Sequence, residues 1–216
     1  HSSRADPRPL LHLVLNKGGR SVSLLVRPLG ASGPVVAPGR GAPTLLGHVD
    51  GETVQTARDL ALELRLATEA LAACPALVTS ETGTWFLADP PACLELVSTL
   101  RGLGDTITVE WPYGAPLRLR GRVGRRALRG KLRHTIGAFE LEGSLAVDGD
   151  LSLELSQLLE LLAQHPGRFV QLASGEYIEL EQELREVLDG LAAARAPSTG
   201  TGITVPASAI AVLDTL

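Results

Sequence analysis

Aromatic residues are scarce in this sequence and methionine is missing. Only 3% of the 216 residues are Phe, Trp or Tyr, and none is Met. The core must therefore be built from Leu, Val and Ala rather than from large rings. Because position 1 is not Met and the chain opens with His-Ser-Ser, we expect a tag remnant followed by a piece of a longer protein.

Long apolar runs, a signal peptide and a disulfide framework are missing as well. No uninterrupted apolar run approaches the ~18–20 residues that a membrane-spanning helix needs. No basic segment followed by an apolar one opens the chain. Cys74 and Cys93 cannot form a disulfide scaffold, and we expect them to behave as small hydrophobic residues. Because 44% of the residues are hydrophobic, the chain is not disordered, and we expect a globular, cytoplasmic protein without a membrane partner.

Motifs that would indicate catalysis, a metal or a cofactor are absent from the sequence. It has no Cys-x-x-Cys, no His-Glu-x-x-His, no acidic calcium loop and no Gly-x-Ser-x-Gly. The nearest approach to a phosphate-binding loop runs from Gly124 to Lys131, but its glycines are separated by five residues instead of four, and Leu132 replaces the Ser or Thr that binds Mg²⁺. We therefore expect no catalytic residue, cofactor or metal here. An enzyme whose site assembles only in three dimensions stays an open alternative.

The net charge of −4 conceals a strong separation of charge along the chain. Eight of the 20 Lys and Arg residues lie between Leu117 and His134, a window without Asp or Glu. Elsewhere 12 basic residues stand against 24 acidic ones, a balance of −12. Such separation favours a charged binding partner. The eight cations are Arg118, Arg120, Arg122, Arg125, Arg126, Arg129, Lys131 and Arg133.

Apolar residues recur with the periods of both strands and helices, which predicts an α+β fold of mixed hairpins and amphipathic helices in one large or two small domains. Strands are predicted at 10–15, 22–26, 85–87, 107–111, 139–145, 168–173 and 176–180. Residues 30–47 are predicted to be mostly loop.

Helices are predicted from Val54 to Leu71, from the N-cap Asp89 with Pro90 at the first position, over 155–162, over 184–191 and after Pro206. The predicted organisation is an N-terminal hairpin and helix region at 1–80, an α+β accessory region at 81–195, and a linker with the start of a following region at 196–216.

The cationic window itself alternates between apolar and basic residues. Leu117, Leu119 and Val123 alternate with arginines, and beyond Gly124 the same pattern continues around Leu128 and Leu132. This period of two predicts a β-hairpin with an apolar face and a basic face, and with Arg125 and Arg126 at its tip.

Residues 139–194 contain in order a strand ending in Val-Asp-Gly, a Leu-rich helix, a hairpin reading Gly-Arg-Phe-Val-Gln-Leu-Ala-Ser-Gly and a helix containing Leu-Arg. Upstream come a strand with Trp85, a helix, a strand ending Glu110-Trp111-Pro112 and a Leu-Arg-Leu-Arg strand. Over about residues 85–194 this order resembles the accessory region that precedes the motor in bacterial Snf-type (Swi/Snf-related) helicases. Ala138 departs from the pattern, which has Trp at that place.

The resemblance implies a non-catalytic accessory domain that positions or regulates a separate ATPase motor. ATP and Mg²⁺ would bind to that motor, whose motifs do not occur in this sequence, and the motor itself would be a partner. A pure scaffold for protein interaction is the alternative of a different class.

Three uses of the eight cations stay open at the level of sequence. They could contact the phosphates of duplex DNA, since the arginine fork suits phosphate oxygens and no interleaved aromatic residue supports stacking on single strands. In that case the backbone would be bound without sequence readout. They could dock on an acidic face of the motor as an autoinhibitory or positioning contact. They could also find their counter-charge within the chain, in the acidic segment 140–190.

Overall fold

The fold is α+β, as expected, in a computed structural model that describes residues 2–16, 19–77, 82–165, 167–196 and 202–207. The chain divides into two units, residues 1–116 and residues 117–216, called the N-terminal and the C-terminal unit below. The sequence predicted a first boundary near residue 80, whereas residues 84–110 contribute strands and a helix to the N-terminal unit.

The N-terminal unit holds two sheets. Their orders are β1-β5-β4 and β6-β3-β2-β7. The strands are β1 (Ser2–Arg4), β2 (Pro9–Asn16), β3 (Gly19–Val26), β4 (Thr44–Val49), β5 (Glu52–Ala57), β6 (Thr84–Leu87) and β7 (Thr108–Glu110). The helices are α1 (Leu60–Ala72) and α2 (Pro90–Gly102), and a short 3-10 helix spans Gly104–Thr106.

Helix α2 begins where the sequence predicts because Asp89 caps it. Its carboxylate accepts a hydrogen bond from the N–H of Ala92 at 2.8 Å. The start predicted for α1 is wrong, since that helix begins only after Asp59, which accepts a hydrogen bond from the N–H of Leu62 at 3.0 Å. Residues 54–57, at the start of the predicted helix, belong to strand β5 instead.

A buried ion pair ties the start of α1 to the Gly- and Pro-rich segment before β4. Arg58 donates to Glu63 through Nη2 at 2.6 Å and through Nε at 2.9 Å, and the two side chains are 2% and 0% exposed. The guanidinium also donates to the carbonyl oxygens of Ala37, Arg40 and Ala42. Because the charges are paired and hydrogen-bonded, their burial is compatible with a stable fold.

The C-terminal unit also holds two sheets. The first has the order β12-β13-β8; in the second, β10 is central, with β9 on one side and β11 and β14 on the other. The strands are β8 (Leu119–Val123), β9 (Leu128–Thr135), β10 (Ala138–Ala146), β11 (Ser152–Glu154), β12 (Phe169–Gln171), β13 (Tyr177–Leu180) and β14 (Ile203–Pro206). The helices are α3 (Leu155–Gln164) and α4 (Gln182–Ala194), and a short 3-10 helix spans Arg125–Ala127.

The prediction of one basic hairpin over residues 117–134 is wrong. Strand β8 pairs in parallel with β13, whereas β9 pairs antiparallel with β10, so the cations are divided between two sheets. The chain passes from one sheet to the other at Gly124, where an added Cβ would lie 2.3 Å from Oε2 of Glu181. The alternation in each strand was predicted correctly, but the partner strand was not.

Strand β14 lies in the core of the C-terminal unit, although the sequence predicted a linker over 196–202 and the start of another region beyond it. Ile203 and Val205 are buried, and Val205 lies opposite Phe139 of β10. Residues 197–201 of that linker, the helix predicted after Pro206 and the tip of the first predicted turn at Lys17 and Gly18 lie outside the described residues. Among the described helices, none is long and apolar enough to cross a membrane.

Candidate functional site

Strand β9 is an edge strand of its sheet among the described residues, and it carries three of the predicted cations. Its alternation places Arg129, Lys131 and Arg133 on one face, which we call the outer face of the sheet. Leu128 and Leu132 point to the inner face, where their neighbours on β10 are the buried Leu145 and Leu141. All of β9 after Leu128 is exposed to solvent.

Carboxylates of β10 lie beside these cations on the outer face. Glu140 is the cross-strand neighbour of Arg133, and Glu142 that of Lys131. Arg133 also reaches Glu142 diagonally, with Nη2 at 3.6 Å from Oε2. Opposite charges directly across a ladder stabilise the pairing. At its inner edge, next to β10, β9 therefore pairs with a strand in which acidic residues lie opposite two of its cations and apolar residues lie opposite its leucines.

Two further cations, on β8, are paired within the unit. Arg120 donates to Asp148 through Nε and to Glu176 through Nη1 at 3.2 Å. Arg122 lies beside Glu179 and Glu181, with Nε at 3.5 Å and 3.7 Å from their carboxylate oxygens. These contacts and the Arg133 pair are of the kind expected if the acidic segment 140–190 supplies counter-charge.

The Arg120 guanidinium lowers the pKa of Asp148 below its ordinary value of 3.8, and it does so mainly through the direct hydrogen bond. The backbone N–H groups of Asp150 and Leu151 also donate to this carboxylate and act in the same direction. The same contact raises the pKa of Arg120. Asp148, at the turn after β10, therefore stays ionised and provides the counter-charge for Arg120.

The other five predicted cations are exposed and have no ion pair among the described residues. Arg118 precedes β8, Arg125 and Arg126 lie in the short 3-10 helix, and Arg129 and Lys131 lie on β9. Arg125 shares a shallow surface cleft with Glu183 and Glu186. The fold therefore distributes these five cations along one stretch of chain that crosses from one sheet to the other. The five are Arg118, Arg125, Arg126, Arg129 and Lys131.

A recess of about 340 Å³, lined mainly by leucine residues, lies on the inner face beside β9. Gly130 forms part of it because this residue presents no side chain between Leu128 and Leu132. The rest of the lining comes from Leu141 of β10, Leu155 of α3 and Arg129. Leu132 is 49% exposed at this recess, so apolar surface and positive charge occur on the two faces of one edge strand.

The outer edge of β9 offers backbone hydrogen-bonding groups. Thr135 and Ala138 flank the two-residue turn of Ile136 and Gly137, so they exchange both backbone hydrogen bonds. Along β9 from Thr135, residues whose N–H points to β10 then alternate with residues whose N–H points away from it. The N–H groups of the cationic positions therefore point to β10. Those of Gly130, Leu132 and His134 point away from it, and they have no backbone partner within the described ranges.

A second polar cluster lies in the N-terminal unit and was not predicted. Glu110 of β7 accepts from both Nη atoms of Arg27 at 2.7 and 2.8 Å and lies 2.8 Å from Nε2 of His12. His12 and Glu110 are register partners on β2 and β7, two strands paired in parallel. Their 98-residue separation explains why no local motif signals the contact. Because the Glu110 carboxylate is paired with the Arg27 guanidinium, the cluster resembles a structural ion-pair network.

The two thiols behave as small hydrophobic side chains, as expected. Both are buried, and burial raises the pKa of Cys93 to about 11. Within the part of the chain that the structure describes, no group of three or more His, Cys, Asp or Glu side chains could hold a metal ion.

Comparison of this chain with protein-family models, curated proteins and solved structures gave no match. The function proposed below therefore rests on the geometry of the chain and on the resemblance in its sequence.

Sequence reasoning identified the cations but not what surrounds them. Charge counting found all eight, and alternation assigned Arg129, Lys131 and Arg133 correctly to one strand face. The recess at Gly130 depends on α3 packing against β10, a tertiary contact that leaves no local pattern in the sequence.

Proposed function

We propose that the chain is a non-catalytic accessory module that docks on an ATPase motor of the Snf type and positions or regulates it. The observation that carries the docking role is strand β9, which combines three cations on one face with a leucine-lined recess on the other. The resemblance of residues 85–194 supplies the motor as the partner. The observed order β10, β11, α3, β12, β13, α4 agrees with the order on which that resemblance rests.

Two features of β9 favour a protein surface over DNA phosphates as its partner. Leu132 and the recess beside it offer apolar area, which a phosphate backbone cannot use. Glu140 and Glu142 of β10 stand next to the cations on the same face, so a phosphate backbone laid across that face would meet carboxylates, whereas a partner at the outer edge would be separated from them by β9 itself. A protein partner with both charge and apolar side chains fits both faces of the strand.

A binding experiment with a motor tests this function. The 216-residue chain is titrated into a Snf-type ATPase motor from the same genome, while complex formation and DNA-stimulated ATP hydrolysis are followed. We expect a saturable complex and a saturable change in the hydrolysis rate. Absence of both a complex and a rate change would contradict the proposal.

A matched pair of variants localises the contact. The double variant Arg129→Glu/Lys131→Glu reverses two charges on β9, and the control Arg118→Glu/Arg126→Glu makes the same change of charge elsewhere in the window. All four side chains are exposed and lack ion pairs among the described residues. We expect the β9 variant to weaken the complex about tenfold or more and the control to leave it nearly unchanged. Equal loss in both variants would mean that charge in general, not β9, drives binding.

Contact with the backbone of duplex DNA is the second candidate function, because five exposed cations have no ion pair within the described residues. Each phosphate that a cation neutralises steepens the dependence of log K on log salt by about 0.9, so five contacts would give a slope of about −4.5. Titration of a duplex oligonucleotide at several salt concentrations measures this slope. Binding that both double variants weaken alike would support the DNA function, and no binding at low salt would exclude it.

A further inference from the structure

We propose that the outer edge of β9 binds its partner by strand addition, and that the partner segment is an extended strand of alternating acidic and apolar residues. The inference rests on the proposed docking function and names the kind of segment that docks. It is carried by three observations on the same strand: a backbone edge with which no described strand pairs, a row of cations on the outer face and a leucine-lined recess on the inner face.

The backbone edge supplies the geometry for an added strand. The N–H groups of Gly130, Leu132 and His134 point away from β10, and no described backbone group pairs with them. The strand is eight residues long, from Leu128 to Thr135, which is ample for a peptide to pair along it. Proteins commonly bind extended peptides at such edges, where main-chain hydrogen bonds give affinity and alternate side chains give specificity.

The side chains select which strand can be added. A second copy of β9 would place Arg129, Lys131 and Arg133 beside cations of the same kind, and charges on edge strands normally prevent such self-pairing. An acidic residue at every second position would instead lie opposite each cation. The intervening residues would then fall on the inner face, where the recess at Gly130 accepts an apolar side chain.

The chain already contains a strand with this pattern. Strand β10 reads Ala-Phe-Glu-Leu-Glu-Gly-Ser-Leu-Ala from Ala138 to Ala146, and it pairs with the other edge of β9. It brings Glu140 and Glu142 opposite Arg133 and Lys131 while its leucines enter the core. Because a strand at either edge of β9 meets the same two faces, a strand like β10 also matches the outer edge.

A peptide of the β10 sequence, acetylated and amidated, is therefore the direct probe. We expect saturable binding to the 216-residue chain, measured by fluorescence anisotropy of a labelled peptide. A peptide in which both glutamates are replaced by lysine should bind about tenfold more weakly or not at all. Equal binding of the two peptides would overturn the role assigned to the charges.

N-methylation of the peptide tests the strand pairing itself. In an antiparallel register that places the glutamates opposite the cations, the amides of the apolar positions donate to the outer edge of β9, and those of the glutamate positions point away from it. N-methyl groups at the positions of Leu141 and Gly143 should therefore abolish binding. N-methyl groups at the positions of Glu140 and Glu142 should leave it almost unchanged. Equal effects of the two modifications would overturn strand addition.

Variants of the chain separate this inference from the proposed function. Arg129→Glu/Lys131→Glu should lose the peptide, whereas Arg118→Glu/Arg126→Glu should bind it as the wild type does.

Duplex DNA that displaces the peptide while both N-methylated peptides bind alike would show a phosphate-binding surface and overturn the inference. If the motor binds but the peptide pattern fails, strand addition is wrong and docking stands. If the peptide pattern holds but the motor does not bind, the identity of the motor is wrong.

Discussion

At the scale of single residues, buried carboxylates between arginines distinguish this chain from an ordinary leucine core. Glu63 is 0% exposed in the N-terminal unit and pairs with Arg58. Glu179 is 2% exposed in the C-terminal unit and lies 3.2 Å from Arg168 and 3.5 Å from Arg122. Removing one partner of the Arg58–Glu63 pair leaves an uncompensated charge in a buried site, so this pair should be sensitive to substitution.

Glu63→Gln should lower the free energy of unfolding by about 3 kcal/mol, because it leaves the Arg58 guanidinium buried without an anion. The control Glu69→Gln removes the partner of Arg65 in an exposed pair four residues apart on the same helix. That change should cost no more than about 0.5 kcal/mol. Chemical denaturation of both variants gives the two values, and equal losses would contradict the account.

Asp148 gives a pH dependence with a definite sign. Because Arg120 lowers its folded pKa below 3.8, the ionised form favours the folded state. The stabilisation is fully present above about pH 3.8 and is lost as the pH falls through the lower folded pKa.

Arg120→Gln should therefore move the pKa of Asp148 upward, toward its ordinary value. A titration of the side-chain carboxyl carbon by NMR measures this shift. Arg126→Gln serves as the control, since the structure gives Arg126 no contact with this carboxylate, and it should leave the midpoint in place. An unchanged midpoint in Arg120→Gln would show that the guanidinium is not the main cause.

At the scale of elements, local patterns predicted the type of most elements but not the partners of the strands. The cap at Asp89 and the alternation in β9 are properties of neighbouring residues, and both were predicted correctly. The pairing of β8 with β13 joins residues nearly 60 positions apart, such as Leu119 and Tyr177, and it depends on the whole fold. The sequence therefore predicts a hairpin tip for the arginine-rich turn after Gly124, whereas in the structure the chain crosses there from one sheet to the other.

Strand β14 shows the same limitation, and it gives a prediction. Val205→Ala should lower the free energy of unfolding by about 2 kcal/mol, because the side chain is fully buried against β10 and its truncation leaves a cavity. The neighbouring change Thr204→Ala, on the other face of the strand, should cost less than about 0.5 kcal/mol. Denaturation curves for the two variants test whether this segment belongs to the core. If it were a linker, neither change would lower the free energy of unfolding.

At the scale of the whole molecule, only some of the cations concentrated in residues 117–134 are available to a binding partner. Three of the eight cations of the window are paired with carboxylates of the C-terminal unit, namely Arg120, Arg122 and Arg133. The remaining five are exposed and lack ion pairs among the described residues. The sequence could predict the charges but not their division, because the division follows from which strands pair.

The claim that β9 is an open edge awaiting a partner strand is tested most directly by amide hydrogen exchange in the C-terminal unit. In the free chain the amides of Arg129, Lys131 and Arg133 should be protected by their bonds to β10. Those of Gly130 and Leu132 should exchange rapidly and become protected when the β10-sequence peptide is added. Protection of these two amides in the free chain, or rapid exchange with the peptide bound, would contradict the account.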